Sequence, residues 1–214
     1  MKTIELLIAD DHPIFRKSLV RLVSLFDRNF KFFEAGNGLE VLQIIEKEKI
    51  DLILLDIQMP KMNGIDCLKE VKILSPNTKV IVLTQFDEPS LIVLLAQLGA
   101  EGFLLKECDP KELETAIDAV LTIGHYYNNV AEVAIKNYNQ KKGSPIANLD
   151  LTSREMDIAK LLVKGLSSEE IGEQLSLSAL TVSSYRKIIL KKTSCNNTAA
   201  LTRLLLLSGI FHRI

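Results

Sequence analysis

The chain has 214 residues, of which 47 % are hydrophobic and 25 % charged, a composition typical of a globular protein with one large domain or two small ones. No apolar run approaches the roughly 18 residues of a membrane-spanning helix, and acidic residues interrupt the start MKTIELLIADDH too soon for a signal peptide. Three widely spaced cysteines without a C-x-x-C pair indicate neither a disulfide framework nor a zinc site. We therefore expect a cytoplasmic protein without a membrane partner.

Charge divides the chain into an acidic part and a basic part. Residues 1–125 contain 14 basic and 20 acidic residues, a net charge of −6, whereas residues 126–214 have a net charge of +5. Between the two parts lies NQKKGSPIANLD, in which a Gly-Ser-Pro run without apolar periodicity is typical of a linker. The sequence predicts a first domain at 1–125, a linker at 126–148 and a second domain at 149–214.

Five short apolar runs in the first domain alternate with longer helical patterns. The runs are IELLIA, KFFEA, LILLD, KVIVLT and GFLLK. In the first helical pattern, IFRKSLVRLVSLF, the predicted core face contains Ile14, Ser18, Leu19, Leu22 and Phe26. The strict alternation of continuously apolar strands with helices predicts an α/β fold whose parallel sheet is covered on both faces.

Polar side chains capable of chemistry stand at the ends of four of these strands. Asp10 and Asp11 follow the first strand, Asp56 ends the third, Thr84 ends the fourth and Lys106 ends the fifth. In an open parallel sheet, ligands bind beyond the carboxyl ends of the strands, at the point where the strand order reverses. We therefore expect three carboxylates, a hydroxyl and an ammonium group to converge on one edge of the sheet.

This predicted group of side chains suits phosphoryl transfer. Three carboxylates beside one cation repel one another, and a divalent ion such as Mg²⁺ relieves that repulsion. A carboxylate next to Mg²⁺ can attack phosphorus and form an aspartyl phosphate. Lys106 would then neutralise phosphoryl oxygens, and the Thr84 hydroxyl would donate a hydrogen bond to one of them.

The segments Asp10-Asp11, LLDIQMPKMNG, VLT and FLLK, in this order and spacing, resemble the receiver domain of two-component response regulators across residues 1–125. The resemblance implies a flavodoxin-like, doubly wound, five-stranded parallel sheet and a histidine kinase as partner. It implies Asp56 as the phosphoacceptor and Thr84 and Lys106 as phosphoryl contacts. The implied Mg²⁺ ligands are Asp10, Asp11, Asp56 and the backbone carbonyl of Gln58.

The same resemblance implies a conformational switch formed by Thr84 and Phe103. The family more often has Tyr at the position of Phe103. Phenylalanine lacks the hydroxyl, so a switch here depends on the ring changing its rotamer and not on a hydrogen bond. The alternative is an ordinary core aromatic residue on the fifth strand.

The second domain contains the signals of three successive helices. Thr152 or Ser153 can cap the first helix, whose core face is predicted to contain Met156, Ile158, Ala159, Leu162 and Val163, and Gly165 can end it. A short second helix is predicted from Ser168 to Leu175, and Ser178 can cap the third. Two short helices joined by a tight turn predict a small all-α domain of the helix-turn-helix type.

The third helix has a core face and a basic face. Val182, Tyr185 and Ile189 repeat at core spacing, and the other face repeats Ser183, Lys187 and Lys191. LTSRE, GLSSEEI and LSLSALTV resemble the LuxR-type DNA-binding domain over residues 149–214, which implies double-stranded DNA as a partner. The candidate DNA contacts are Ser183, Ser184, Arg186, Lys187 and Lys191.

Two departures from the LuxR-type pattern weaken the expected attraction to DNA. Ser183 stands where the family usually has a lysine, and the preceding helix contains Glu169, Glu170 and Glu173. Even so, a protein that binds a symmetric DNA site gains from pairing, so we expect a homodimer on phosphorylation.

Three hypotheses from different classes remain at the level of the sequence. The first is a transcription factor controlled by phosphorylation of Asp56. The second is an enzyme, a phosphatase of the kind that forms an aspartyl phosphate, but Gln58 stands where such enzymes have a second carboxylate, so we expect a protein that is not an enzyme. The third is a protein-interaction adaptor whose helix-turn-helix no longer binds DNA.

Overall fold

The structure is a computed structural model that describes residues 3–128, 131–133, 135 and 151–207. The chain divides into two compact units, the first comprising residues 1–87 and 92–135 and the second comprising residues 88–91 and 136–214. Most of the predicted linker at 126–148 lies outside the described residues. Among the residues that are described, no helix combines the length and the apolar character needed to cross a membrane.

The first unit alternates strands and helices. Its elements are β1 (Ile4–Ala9), α1 (Pro13–Val23), β2 (Phe30–Ala35), α2 (Gly38–Ile45), β3 (Leu52–Asp56), α3 (Gly64–Leu74), β4 (Lys79–Thr84), α4 (Pro89–Gln97), β5 (Gly102–Leu105) and α5 (Pro110–Thr122). The five strands are all parallel, in the order β2-β1-β3-β4-β5. This confirms the predicted α/β class and places the reversal of strand order between β1 and β3.

The central strands β1, β3 and β4 are mainly apolar because helices cover both faces of the sheet. Leu6 and Leu54 belong to a core cluster with residues of α1 and α5, on one face. Leu7 and Ile53, which point to the opposite face, are equally buried. The faces of the central strands are therefore closed to solvent, and the polar groups of the predicted site stand at the ends of these strands.

The predicted core face of α1 is partly wrong. Ile14 is 84 % exposed, and Ser18 is exposed as well, whereas Phe15, Leu19 and Val23 pack into the core. Because successive residues of an α-helix are turned by about 100°, Ile14 lies off the face that Phe15 begins. The helix also ends at Val23, three residues before the end of the predicted pattern.

The first unit continues past the predicted domain end at residue 125. The backbone N–H of Tyr126 donates to the carbonyl of Glu101 at 2.8 Å, and Tyr126 forms a parallel bridge to Gly102 at the start of β5. The hydroxyl of Tyr127 donates to the carbonyl of Ala100 at 2.5 Å. These bonds attach the first residues of the predicted linker to the edge of the sheet.

The second unit is helical, with α6 (Ser153–Val163), α7 (Ser168–Leu175), α8 (Ala179–Lys192) and α9 (Thr198–Leu207). Thr152, not Ser153, caps α6 in a capping box with Glu155, and Ser178 caps α8 as predicted. Gly165 follows α6 with a φ of 84°, the left-handed conformation expected of a glycine that ends a helix.

The turn between α7 and α8 depends on close backbone contact. A Cβ atom on Gly172 would lie 2.6 Å from the carbonyl oxygen of Leu177. The backbone N–H of Leu177 donates to the carbonyl oxygen of Gly172 at 2.9 Å. Ser176 adopts a left-handed φ of 54° to close the helix. This packing of α7 against α8 is the predicted helix-turn-helix.

Close backbone contact also fixes the chain around the end of β3. Asn63 caps α3 by accepting from the backbone N–H of Asp66 at 2.9 Å, and the N–H of Gly64 donates to the carbonyl of Ile57 at 2.8 Å. A Cβ atom on Gly64 would lie 2.0 Å from the carbonyl oxygen of Asp56. Only glycine fits there, because backbone cannot yield as a flexible side chain can.

We predict that Gly64→Ala destabilises the first unit by about 1–3 kcal/mol or more, since the added methyl group forces the α3 start away from Asp56. Urea unfolding followed by circular dichroism measures this change. Gly36→Ala is the matched control, because its Cβ atom would meet Glu40 Oε2 at an ordinary 3.5 Å. Equal unfolding midpoints for the two variants would contradict the steric explanation.

Candidate functional site

The predicted carboxylates and the predicted lysine meet at the carboxyl ends of β1, β3 and β5. The Lys106 Nζ atom donates to Asp10 Oδ2 at 2.6 Å and to Asp56 Oδ2 at 2.8 Å. Asp10 and Asp56 are only 1 % and 3 % exposed. One ammonium group therefore joins two buried carboxylates across the point where the strand order reverses.

Lys106 is held in its charged form by its surroundings. Burial by itself would lower its pKa, but the hydrogen bonds and charges of Asp10 and Asp56 outweigh burial, and the pKa of Lys106 is raised. The ammonium group also lies 5.0 Å from the ring centroid of Phe15, within the range of a cation–π contact. A positive charge is thus fixed beside Asp56 at neutral pH.

The negative charge of Asp56 is only partly balanced by its surroundings. Its burial raises the pKa of the carboxyl, and the nearby charge of Asp10 adds to that effect. The hydrogen bond and charge of Lys106, together with the backbone N–H of Gln58, act in the opposite direction and do not cancel it. The ionised form of Asp56 is therefore held in a site that would gain from additional positive charge.

The acidic cluster fits a hard divalent cation. Asp10, Asp11, His12 and Asp56 each offer a ligand atom, and these atoms lie within 4.8 Å of one another. Asp11 Oδ1 is buried without a hydrogen bond, although it lies 2.8 Å from His12 Nδ1. Carboxylate oxygens are the ligands that Mg²⁺ prefers in proteins, so the donor set of this cluster suits that ion.

Gln58 and His12 complete the description of this cluster. The side chain of Gln58 is exposed and its backbone N–H faces Asp56, so the role of its carbonyl as a metal ligand stays a prediction. His12 was not among the predicted site residues. Its signal in the sequence is its position directly after Asp10-Asp11, and its backbone N–H donates to Asp10 Oδ1 at 2.7 Å.

The two predicted switch residues are buried on neighbouring strands. Thr84 ends β4 beside Leu105 of β5, and its hydroxyl oxygen accepts from the N–H of Phe86 at 3.2 Å. The hydroxyl proton of Thr84 remains available to a phosphoryl oxygen. Phe103 is buried on β5 opposite Val82. This position suits both a core residue and a switch, so its role as a switch stays a prediction.

The lysines of α8 differ in how far they are exposed and paired. Lys187 and Lys191 are exposed, and their role as phosphate contacts stays a prediction. Lys192 donates to Glu155 Oε2 at 2.8 Å, which engages its charge within the unit. Burial opposes ionisation of Glu155, but Lys192 and the N–H of Thr152 prevail and lower the pKa of this carboxyl.

The other three candidate DNA contacts differ in how far they are buried and hydrogen-bonded within the second unit. Ser183 Oγ is half-buried and donates to Ser168 Oγ at 3.4 Å, so it points toward α7. Ser184 is exposed and its Oγ donates to the carbonyl of Leu180 at 3.0 Å. Arg186 is half-buried, with a buried Nε atom that makes no hydrogen bond.

Comparison with known proteins agrees with this arrangement. The sequence model of the response regulator receiver domain matches residues 6–118, and that of bacterial regulatory proteins of the luxR family matches residues 149–205. Transcriptional regulatory protein DegU of Brevibacillus brevis is 31 % identical over 210 residues, covering 91 % of this chain and 89 % of the relative. The nitrate/nitrite response regulator protein NarP of Escherichia coli strain K12 is 32 % identical over 206 residues, covering 94 % of each chain.

Solved structures show the same fold. RcsB from Salmonella enterica serovar Typhimurium, bound to promoter rprA in the presence of the phosphomimetic BeF₃⁻, is 25 % identical with a TM-score of 0.76, covering 97 % of this chain and 99 % of that one. A complex of the response regulator RcsB with DNA reaches a TM-score of 0.82 at 23 % identity, covering 96 % and 99 %.

Sheet, acidic cluster and helix-turn-helix together define a regulator with a receiver domain and a DNA-binding domain. The chain belongs to the two-component response regulators, with an N-terminal receiver domain and a C-terminal LuxR-type domain, and is a response regulator transcription factor.

We predict that Asp56→Asn stabilises the protein at neutral pH in the absence of divalent cations. The pKa of Asp56 is raised in the folded state, so its ionisation opposes folding once the pH passes the ordinary carboxyl pKa of about 3.9 and rises through the folded value. Below that range the carboxyl is neutral in both states and the cost vanishes. Asparagine removes the cost and leaves Lys106 paired with Asp10.

Thermal unfolding of both proteins at several pH values tests this. The midpoint of Asp56→Asn should exceed that of the wild type by a few degrees at pH 7–8, and the difference should shrink as the pH falls toward about 4. A lower midpoint for the variant across the whole range would contradict the sign of the electrostatic effect.

Proposed function

We propose that phosphorylation of Asp56 by a histidine kinase controls the binding of this transcription factor to double-stranded DNA. The observation that carries the proposal is the Lys106 ammonium group bound to Asp10 and Asp56 at the switch point of the sheet, beside Asp11. We also propose that the protein acts in the cytoplasm together with these two partners.

The acceptor reaction follows from the groups around Asp56. A carboxylate oxygen of Asp56 attacks the phosphorus of a phosphohistidine, an O–P bond forms, the P–N bond breaks, and the imidazole leaves with the electron pair. Lys106 remains in reach to neutralise the phosphoryl oxygens, and the Thr84 hydroxyl can donate to one of them. Asp10, Asp11, Asp56 and the Gln58 carbonyl are the proposed ligands of Mg²⁺, which supplies positive charge to the phosphoryl group when bound.

Phosphorylation changes the balance of charge around Lys106. The phosphoryl group adds a charge of about −1.5 to −2 next to the Lys106 ammonium group, which is paired with Asp10 and Asp56 in the unphosphorylated protein. A redirected Lys106 acts on β5, which also contains Phe103, and the Thr84 hydroxyl acts on the neighbouring β4. We propose that this pair of strands transmits the change and favours a homodimer.

The exposed side of α8 is the proposed DNA contact. Lys187 and Lys191 would neutralise phosphates, with Arg186 as a third cation and Ser184 as a neutral donor. Ser183 can take part by turning from Ser168 toward the DNA. A symmetric pair of α8 helices would enter the major groove at half-sites about one helical turn apart, roughly 10 base pairs.

A second function, that of an adaptor that does not bind DNA, is favoured by one observation. Glu169, Glu170 and Glu173 of α7 are exposed and place negative charge next to the basic face of α8. The salt dependence of DNA binding separates this alternative from the transcription factor.

We predict that a small phosphodonor with Mg²⁺ labels the wild-type protein with one phosphoryl group and that Asp56→Asn abolishes the label, because Asp56 is the carboxylate paired with Lys106. Mass spectrometry of the intact protein measures the label. Asp27→Asn, which removes an exposed carboxylate after α1, is the control that should be labelled like the wild type. A label that survives in Asp56→Asn and maps to another residue would refute the assignment.

We predict that the phosphodonor shifts the wild-type protein from monomer toward dimer at micromolar concentrations, since the new charge at Asp56 biases the β4–β5 pair. Sedimentation velocity with and without phosphodonor measures this shift. Asp56→Asn should sediment alike under both conditions. The same mass for the phosphorylated and unphosphorylated wild type would speak against a phosphorylation-driven dimer.

We predict that log K for DNA falls with log salt at a slope of about −5, because three cations of α8 in each of two subunits neutralise roughly six phosphates. Lys187→Ala should flatten the slope by about two units and weaken binding to all sequences alike. Fluorescence anisotropy over a range of salt concentrations gives the slopes. Lys17→Ala, an exposed change of the same charge in the first unit, is the control and should keep the wild-type slope.

Two results would decide against this interpretation of α8. A slope near zero would show that phosphate contacts do not contribute. No binding to any duplex at low salt, with or without phosphodonor, would move the weight to the adaptor hypothesis.

A further inference from the structure

Arg16 links α1 to the ends of β1 and β2 next to the acidic cluster. Its Nη1 group donates to the backbone carbonyl of Asp10 at 2.6 Å, and its Nε group donates to Glu34 Oε2 at 2.8 Å. The Arg16 side chain is only 16 % exposed, although Arg16 lies near the start of α1. Because its Nε and Nη1 groups are both hydrogen-bonded, Arg16 restrains the backbone of the site at Asp10.

The bond to the Asp10 carbonyl completes the restraint of that residue. The N–H of Asp10 donates to the carbonyl of Ala35 at 3.1 Å, and its carboxylate oxygens accept from His12 and Lys106. The carbonyl held by Arg16 belongs to the peptide group that joins Asp10 to Asp11. Because a peptide group is planar, fixing this carbonyl sets the direction in which the chain enters Asp11.

Asp11 depends on this backbone restraint more than the other two carboxylates do. Lys106 anchors the carboxylates of Asp10 and Asp56, whereas Asp11 Oδ1 is buried without a hydrogen bond. The Asp11 side chain is 33 % exposed and its contact to His12 is to a side chain that is itself largely exposed. The orientation of the Asp11 carboxylate toward a cation is therefore set mainly by its backbone.

We propose that Arg16 is a positioning residue for phosphorylation, which acts by orienting the Asp10-Asp11 peptide so that the Asp11 carboxylate meets the divalent cation. The inference rests on the proposed function, since it assigns the cation to this cluster. A guanidinium group suits the task because its planar fork reaches a carbonyl and a carboxylate at once, whereas the single ammonium group of lysine does not reproduce that geometry. Glu34 accepts from the Nε group of this guanidinium and so helps to fix its orientation.

The test compares Arg16→Ala, Arg16→Lys and Arg21→Ala in the full chain. The initial rate of labelling by a small phosphodonor is measured as a function of Mg²⁺ concentration, which separates the half-saturating concentration from the maximal rate. Arg16→Ala should need roughly tenfold more Mg²⁺ while keeping most of the maximal rate, as expected when a residue that orients a metal ligand is lost. Arg16→Lys should rescue only in part, and Arg21→Ala, exposed on the same helix, should match the wild type.

A second readout does not require the reaction. Mg²⁺ that binds the folded protein raises the midpoint of thermal unfolding, and for Arg16→Ala that rise should begin at roughly tenfold higher Mg²⁺. If Arg16→Ala does not fold, Glu34→Gln replaces it. That variant keeps the arginine but loses the charge that holds it, and it should shift both Mg²⁺ curves in the same direction by a smaller factor.

The outcomes are distinguishable. Unchanged Mg²⁺ dependence in both readouts, or a lower maximal rate at an unchanged half-saturating concentration, would overturn the positioning role of Arg16. A wild-type protein that is not labelled by the phosphodonor, but whose Mg²⁺-dependent stabilisation is displaced in Arg16→Ala, would refute phosphorylation and leave the role of Arg16 toward the cation intact.

Discussion

The receiver domain depends on the ion pairs that the Lys106 ammonium group forms with the buried carboxylates of Asp10 and Asp56. Asp10 and Asp56 lie almost completely out of water at the ends of β1 and β3, and Lys106 reaches both from the end of β5. Removing the Lys106 ammonium group would leave two buried carboxylates without their shared cation, and an uncompensated buried charge is strongly destabilising. The strand order makes the arrangement possible, because it brings three separate strand ends to one edge of the sheet.

Close backbone contacts around the site restrain the positions of Asp56 and Lys106. Gly64 lets α3 begin against the carbonyl of Asp56, and the Lys106 N–H donates to the carbonyl of Thr84 at 2.8 Å, which extends the β4–β5 pairing to the lysine itself. Under the proposed function, a change in what Lys106 binds would also alter the strands that contain Thr84 and Phe103. A phosphoryl group on Asp56 would be such a change, and it would need no large motion at the site to bias the fold.

Much of this was predictable from the sequence, for a physical reason. Parallel strands end on the same edge of a sheet, so Asp10, Asp56 and Lys106 could be placed together once their strands were recognised. The cap of α8 at Ser178 and the glycine after α6 were predictable because they satisfy local backbone needs. What failed were features decided by tertiary packing. The orientation of Ile14 depends on where α1 begins, and the pairs Arg16–Glu34 and Lys192–Glu155 join residues 18 and 37 positions apart.

The central claim is that the state of Asp56 decides whether the second unit binds DNA. Selection of bound fragments from a genomic library, with and without phosphodonor, tests it for the wild type and for Asp56→Asn in parallel. A common sequence enriched from the phosphodonor-treated wild type, and not from the untreated protein or from the variant, is the expected result. The same fragments enriched to the same extent in all samples would show that DNA binding does not depend on Asp56, and would contradict the claim.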